Sequence, residues 1–300
     1  MAQPSVGNGE VGEVAVKSFL RILDLVTEQR PLGMVWRLEA KAAVSYLVGS
    51  VHFFPYQFRR ALGVLLRAAD TLMVEGPLEI QDLREVARRG LSGGGGPPSL
   101  SRHLDDRTLR GLERLLEPLG RGAAQGASIG WPTMWGPNHA IRHVLDGMRP
   151  WMAFFTLWVT YLERRGWIYN MDRDALETAR RLGRNVLHLE SLEEQVQALE
   201  RIPLERILGF LRAFERWGDY TSRYVRLYLQ GDLDTLLELS HEFPSRCGPV
   251  IDRRDEVLYR RMVETLSRGG AVALVGAPHV RAIKRWLQED GFRVEQVRVG

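Results

Sequence analysis

Leu47-Val48-Gly49-Ser50-Val51-His52 and Leu274-Val275-Gly276-Ala277-Pro278-His279 repeat one pattern at opposite ends of the chain: a short apolar run, a glycine, and a histidine three places later. The runs that lead in, Val44 to Val48 and Ala271 to Val275, are short, apolar and strand-like. Helical periodicity follows each, over Phe58 to Ala69 and Val280 to Leu287. A strand that ends at a glycine and feeds a helix is the unit of an α/β fold, and it puts each imidazole at a strand's carboxyl end, where open α/β sheets bind ligands.

With 30 glycines and seven histidines in 300 residues, this spacing arises roughly once by chance. Gly136-Pro137-Asn138-His139 is read as that chance match, because Trp131-Pro132-Thr133-Met134-Trp135 before it has a proline and no β-like alternation.

Outward from the two motifs, the same fold is legible. Residues 1–13 read as a loose tail and Val14 to Thr27 as a helix. Met34 to Leu38 and Val44 to Gly49, either side of Glu39-Ala40-Lys41-Ala42-Ala43, read as a hairpin. Thr71 to Glu75 is a strand that ends on a carboxylate. Helical periods fill about 80–165, broken by Gly93-Gly94-Gly95-Gly96-Pro97-Pro98 and by glycines between 120 and 130. The four-glycine run is a linker, since no Lys-Ser/Thr and no helix start follow at phosphate-loop spacing. A helix from Asp172, read as its N-cap, to Leu182 precedes a strand over Asn185 to Glu190. Helices then run over about 192–245, and the chain closes with a helix from Asp255 to Arg268, strand 271–275, a helix from Val280 to Gln288 and strand 292–299.

The expectation is an α/β domain over 14–300 with a central mixed β-sheet flanked by helices. Sheet-forming parts are about 34–79, 166–191 and 250–300, and the helical insertion forms a lid that moves when substrate enters.

Composition narrows the function classes. A lone Cys247 excludes an internal disulfide framework, and the absence of a charged start followed by an apolar run makes a cytoplasmic location the expectation. Trp151 to Leu162, closed by Glu163-Arg164-Arg165, is well short of the ~20 apolar residues that span a bilayer, so no membrane span is expected. The net charge of +4 is spread as arginines alternating with glutamates, a salt-bridged surface rather than a nucleic-acid stripe. Lysine is confined to Lys17, Lys41 and Lys284, a bias that points to a GC-rich genome and says nothing about chemistry.

His52, His279 and Glu75, each at a strand end, form a ligand set for a divalent ion with open positions, which is the basis of metal-assisted hydrolysis. Gly49 and Gly276 are read as turning the backbone from strand to loop. The competing reading is buried structural histidines. His139 and His143 lack the glutamate of a zinc helix, His188 shares a strand with Glu190, and His103 and His241 have no supporting context.

These residues resemble the TraB/GumN/Tiki superfamily, grouped more distantly with the erythromycin-esterase and ChaN haem-binding proteins. Val35-Trp36-Arg37-Leu38 through His52 is similar to its opening hairpin and first G-x-x-H, with Ser50 where threonine is commoner. Ala68-Ala69-Asp70-Thr71-Leu72-Met73-Val74-Glu75, Met171-Asp172 with Leu189-Glu190-Ser191 and Gln195, Gly231-Asp232-Leu233, and Arg254-Asp255 followed by Gly276-Ala277-Pro278-His279 continue the likeness, with Asn170 where glycine is usual. It covers about 34–297 apart from the insertion.

The resemblance implies a metal-dependent hydrolase of the protease type. His52, Glu75 and His279 are then the metal or catalytic shell, Arg254 an oxyanion or carboxylate binder, and Glu190 a supporting residue or general base. The expected cofactor is manganese, cobalt or zinc, and the partner a peptide or small-molecule substrate, with self-association left open. The haem-binding branch keeps alive a non-catalytic haem or peptide binder, and a structural or interaction protein is the third class.

Overall fold

The computed structural model describes residues 29–41, 43–77, 79–91, 99–116 and 141–300. The expected tail, the helix over 14–27, the glycine-rich joints and the 136–139 motif lie outside them.

Six strands form one mixed sheet: β1 (Leu32–Ala40), β2 (Ala43–Ser50), β3 (Thr71–Val74), β4 (Asn185–His188), β5 (Ala271–Gly276) and β6 (Arg293–Val299), in the order β4-β3-β5-β2-β1-β6. β4, β3, β5 and β2 are mutually parallel, while β1 pairs antiparallel with both β2 and β6. The hairpin of β1 and β2 turns at Lys41, which takes a left-handed φ of 47°. β5, from the far end of the chain, lies between β2 and β3, so both ends of the sequence build the sheet's centre.

Burial follows from that order. Ala271 to Val275 are fully buried, as expected of a parallel strand covered on both faces, and the unbroken apolar run is the sequence mark of that position. Each such valine or leucine withdrawn from water contributes about 1.5–3 kcal/mol. β6 lies at the sheet's edge and alternates exposed with half-buried residues, and β4, at the other edge, is mostly exposed.

The first six described helices are α1 (Arg59–Arg67), α2 (Ile80–Gly90), α3 (Asp106–Leu116), α4 (Ile141–Gly147), α5 (Pro150–Glu163) and α6 (Met171–Arg181). The remaining six are α7 (Leu192–Glu200), α8 (Leu204–Arg212), α9 (Trp217–Gln230), α10 (Leu233–Leu239), α11 (Asp252–Arg268) and α12 (Ala277–Glu289). α6 packs on β3 and β4, α11 and α12 on β2 and β5, and α9 on β1. α5 is apolar nearly all round and buried, packing Phe154 and Trp158 edge-to-face against Phe210 of α8 and Phe243.

Two helix starts differ from the sequence reading. Asn170, not Asp172, caps α6 by accepting from Arg173 N at 2.9 Å. α11 begins at Asp252, three residues before Asp255. In both cases an acidic residue read as a helix-starting signal stands inside the first turn, and its side chain turns to a histidine instead. Among the described residues no helix is long and apolar enough to cross a membrane.

Candidate functional site

Because β4, β3, β5 and β2 run the same way, their carboxyl ends share one edge. In strand order that edge carries Glu190, Glu75, the Gly276 to His279 turn, and Ser50 with His52. Backbone bonds from Leu189 N to Val74 O and from Glu190 N to Glu75 O (2.6 Å) extend the β3–β4 pairing, so the two glutamates leave the sheet side by side. Arg254 reaches this edge from the first turn of α11.

Arg254 joins the glutamates. Its Nε donates to Glu190 Oε1 at 2.9 Å and Oε2 at 3.0 Å, and its Nη2 donates to Glu190 Oε2 and Glu75 Oε2, both at 2.6 Å. The other Glu75 oxygen accepts from Gly276 N at 2.5 Å, at the N-terminus of α12, where a carboxylate is favoured. Burial works against the Glu75 charge, yet Arg254, His279, His52 and that N–H hold its pKa down at about 2. Burial likewise opposes charge on Arg254, but the two carboxylates raise its pKa above the ordinary arginine value.

The histidines share one arrangement. His52 Nδ1 lies 2.9 Å from Asp172 Oδ2, and the other Asp172 oxygen accepts from Ser50 Oγ at 2.9 Å. His279 Nδ1 lies 2.5 Å from Asp255 Oδ1. A carboxylate on Nδ1 fixes the ring and directs Nε2 elsewhere, the outer-shell pattern of metal-binding and catalytic histidines. His279 is buried, with Nε2 3.4 Å from Arg254 Nη1 and 3.8 Å from Glu75 Oε1. His52 leaves 54 % of its side chain exposed, toward a cavity that it lines. Desolvation opposes its charge, but Asp172 outweighs this and raises the His52 pKa to about 9.

That cavity, of about 390 Å³, is lined by Ser50, His52, Glu75, Arg254 and His279 together with many apolar residues. Val86 of α2 and Phe155, Trp158, Val159 and Leu162 of α5 come from the helical insertion. The size and mixed lining suit a small substrate or a peptide segment.

The structure therefore brings His52, Glu75, Glu190, Arg254 and His279 to one edge. His103, His188 and His241 are exposed elsewhere. Gly49 and Gly276 do not turn through a positive φ; they permit close approach. A Cβ on Gly49 would meet Val280 Cγ2 at 3.2 Å, and one on Gly276 would meet Glu75 Oε1 at 3.2 Å.

Three participants escaped the sequence reading: Asp172 and Asp255 as histidine partners, and Tyr228, whose hydroxyl donates to Gly49 O at 2.6 Å. The available signals were an acidic residue in the first turn of each helix and the four-residue spacing of Tyr220, Tyr224 and Tyr228.

In kind, the donors suit a divalent ion: two anchored imidazoles and a carboxylate bordering one cavity. As they stand, no three His, Cys, Asp or Glu side chains among the described residues are grouped closely enough to hold one. Arg254 stands among them, taking Glu75 Oε2 and facing His279 Nε2.

The family model of the TraB/PrgY/gumN family matches residues 34–296. No curated protein matches the chain.

Proposed function

The chain belongs to the TraB/PrgY/gumN family, and on that footing we propose that it is a metal-dependent hydrolase of peptide, amide or ester substrates. His52, His279 and Glu75 would hold a divalent ion, manganese, cobalt or zinc. One observation carries the reading: two histidines from opposite ends of the chain, each held through Nδ1 by a carboxylate, border one apolar-walled cavity beside Arg254. When bound, such an ion supplies a Lewis acid and a water that ionises near neutral pH.

The chain's own residues do the rest. Asp172 and Asp255 fix the imidazole tautomers. Glu190 holds Arg254 with both oxygens and is almost fully buried, which makes it an anchor for the guanidinium rather than a base. Arg254 Nη1 is the least committed nitrogen, with contacts only at 3.4 and 3.5 Å, and it is free to donate to an oxyanion as charge develops. The walls of α2 and α5 hold an apolar group and exclude water.

A second reading, ligand binding without turnover, draws support from Glu75, whose oxygens are both already engaged. Calorimetric titration of tag-free protein with manganese, cobalt and zinc, paired with a peptide-library turnover assay, separates the two. Stoichiometric binding lost in both His52→Ala and His279→Ala, with the fold intact and His188→Ala unaffected, is expected. Binding unchanged in both variants would sink the shared site. Bound metal with no turnover of any peptide would leave the binder.

A further inference from the structure

Along α9, Tyr220, Tyr224 and Tyr228 lie four residues apart and so share one face. Tyr228 is committed to Gly49 O, whereas Tyr220 and Tyr224 line the cavity. Beside them stands Arg246, between α10 and α11, which lines both this cavity and an adjoining open groove. Its guanidinium makes no hydrogen bond or ion pair with any described residue, and Nη1 is buried without a partner.

That is unusual for an arginine beside a pocket. Arg254, nearby in sequence, is held by two carboxylates at 2.6 Å. Among the charges acting on Arg246, Asp255 attracts and Arg281 repels, and Asp255 is already committed to His279 at 2.5 Å. Burial presses the Arg246 pKa below the usual arginine value, and an arginine stays charged even so. Burial also lifts the Tyr224 phenol to about 12 and raises that of Tyr220, so both hydroxyls remain donors. A buried guanidinium N–H without an acceptor is a standing cost that an incoming anion removes.

We propose that Arg246, with the hydroxyls of Tyr220 and Tyr224, forms an anion corner that takes the free carboxylate of the substrate. The substrate class is thereby narrowed to peptides or acylated amino acids with a free carboxyl terminus. Trp158 and Phe243 pack on Tyr220 (ring centroids 5.9 and 6.1 Å away) and line the same cavity, which favours an apolar side chain next to that carboxylate. Arg246 and His279 line the same cavity, which puts the bond presented for cleavage near the substrate's carboxyl end. The inference rests on reading this cavity as the substrate pocket; it requires neither a metal nor turnover.

The test is equilibrium binding of N-acetyl-L-phenylalanine and of its carboxamide to the full chain, read by calorimetry. The acid is expected to bind at least about tenfold more tightly. Arg246→Met should reduce the acid to the amide's affinity while leaving amide binding unchanged and the melting temperature no lower, and Tyr224→Phe should remove part of the preference. Arg285→Met, on the adjoining groove, should change neither. Equal affinity for acid and amide in the wild-type chain, including binding of neither, overturns the proposal, as does a preference that survives Arg246→Met. If Arg246→Met does not fold, Arg246→Gln and the wild-type acid-to-amide ratio carry the same decision. A preference for the acid in a chain that hydrolyses nothing would sink the hydrolase reading and leave the anion corner standing; turnover without the preference would do the reverse.

Discussion

Arg254 Nη2 lies 2.6 Å from Glu75 Oε2, joining residues 179 positions apart in the chain. The same nitrogen holds Glu190, so one guanidinium bridges two carboxylates at the ends of neighbouring strands and leaves the trio with a net negative charge. Side-chain exposures of 14 % for Arg254, 10 % for Glu75 and 2 % for Glu190 place the trio largely out of water. There the loss of one partner leaves the others uncompensated.

Arg254→Lys therefore keeps the charge and loses the fork. A lysine cannot donate in one plane to both glutamates, so turnover is expected to fall at least about tenfold, corresponding to ~1.4 kcal/mol in the barrier. Arg254→Met should instead destabilise the fold by about 3–5 kcal/mol. Exposed Arg253→Lys should be silent. Steady-state kinetics and urea melts read both effects; equal turnover by the Arg254→Lys and Arg253→Lys proteins would return Arg254 to a purely structural role.

In metal-free buffer, stability should depend on pH in two windows of opposite sign. Glu75 is depressed from 4.5 to about 2, so its contribution is complete above 4.5 and is lost as pH falls through 2. His52 is raised from 6.5 to about 9, so its contribution is complete below 6.5 and is lost as pH rises through 9. Thermal melts between pH 2 and about 10 should show both slopes. Asp172→Asn, which removes the charge that raises His52, should flatten the alkaline one; an unchanged alkaline slope would mean that His52 and Asp172 are not coupled.

α2 and α5 supply apolar lining to the cavity that the histidines border, and they belong to the helical insertion. If this wall closes over substrate, amide exchange in residues 80–90 and 150–163 should slow when a non-hydrolysable peptide analogue binds, with little change in β5. Protection confined to the strand ends would make the insertion a fixed wall.

Part of the site was legible before any coordinates. Glu75, Glu190 and the two G-x-x-H motifs could be placed at strand ends because a short apolar run closed by a glycine or a carboxylate is a local signal, read from a few adjacent residues. Asp172 and Asp255 were legible only as helix-start residues. Nothing local says which histidine each will meet, since the pairs span 120 and 24 positions. Arg246 was hidden differently: nothing local tells, among so many arginines, which one will line the cavity with a buried Nη1 that lacks an acceptor.

The sequence by itself determined the alternation of strands and helices and the residues on which the strands end. It did so through the period and length of apolar runs, which depend on which residues each element must bury. Tertiary structure alone decided that β5 enters between β2 and β3. Two turns from opposite ends of the chain thereby become neighbours, pairing Ser50 with Gly276 across parallel strands. That choice depends on packing both faces of a mixed sheet at once, a condition on the whole chain rather than on any segment, and it assembles the histidines, Glu75 and Arg254 into one site.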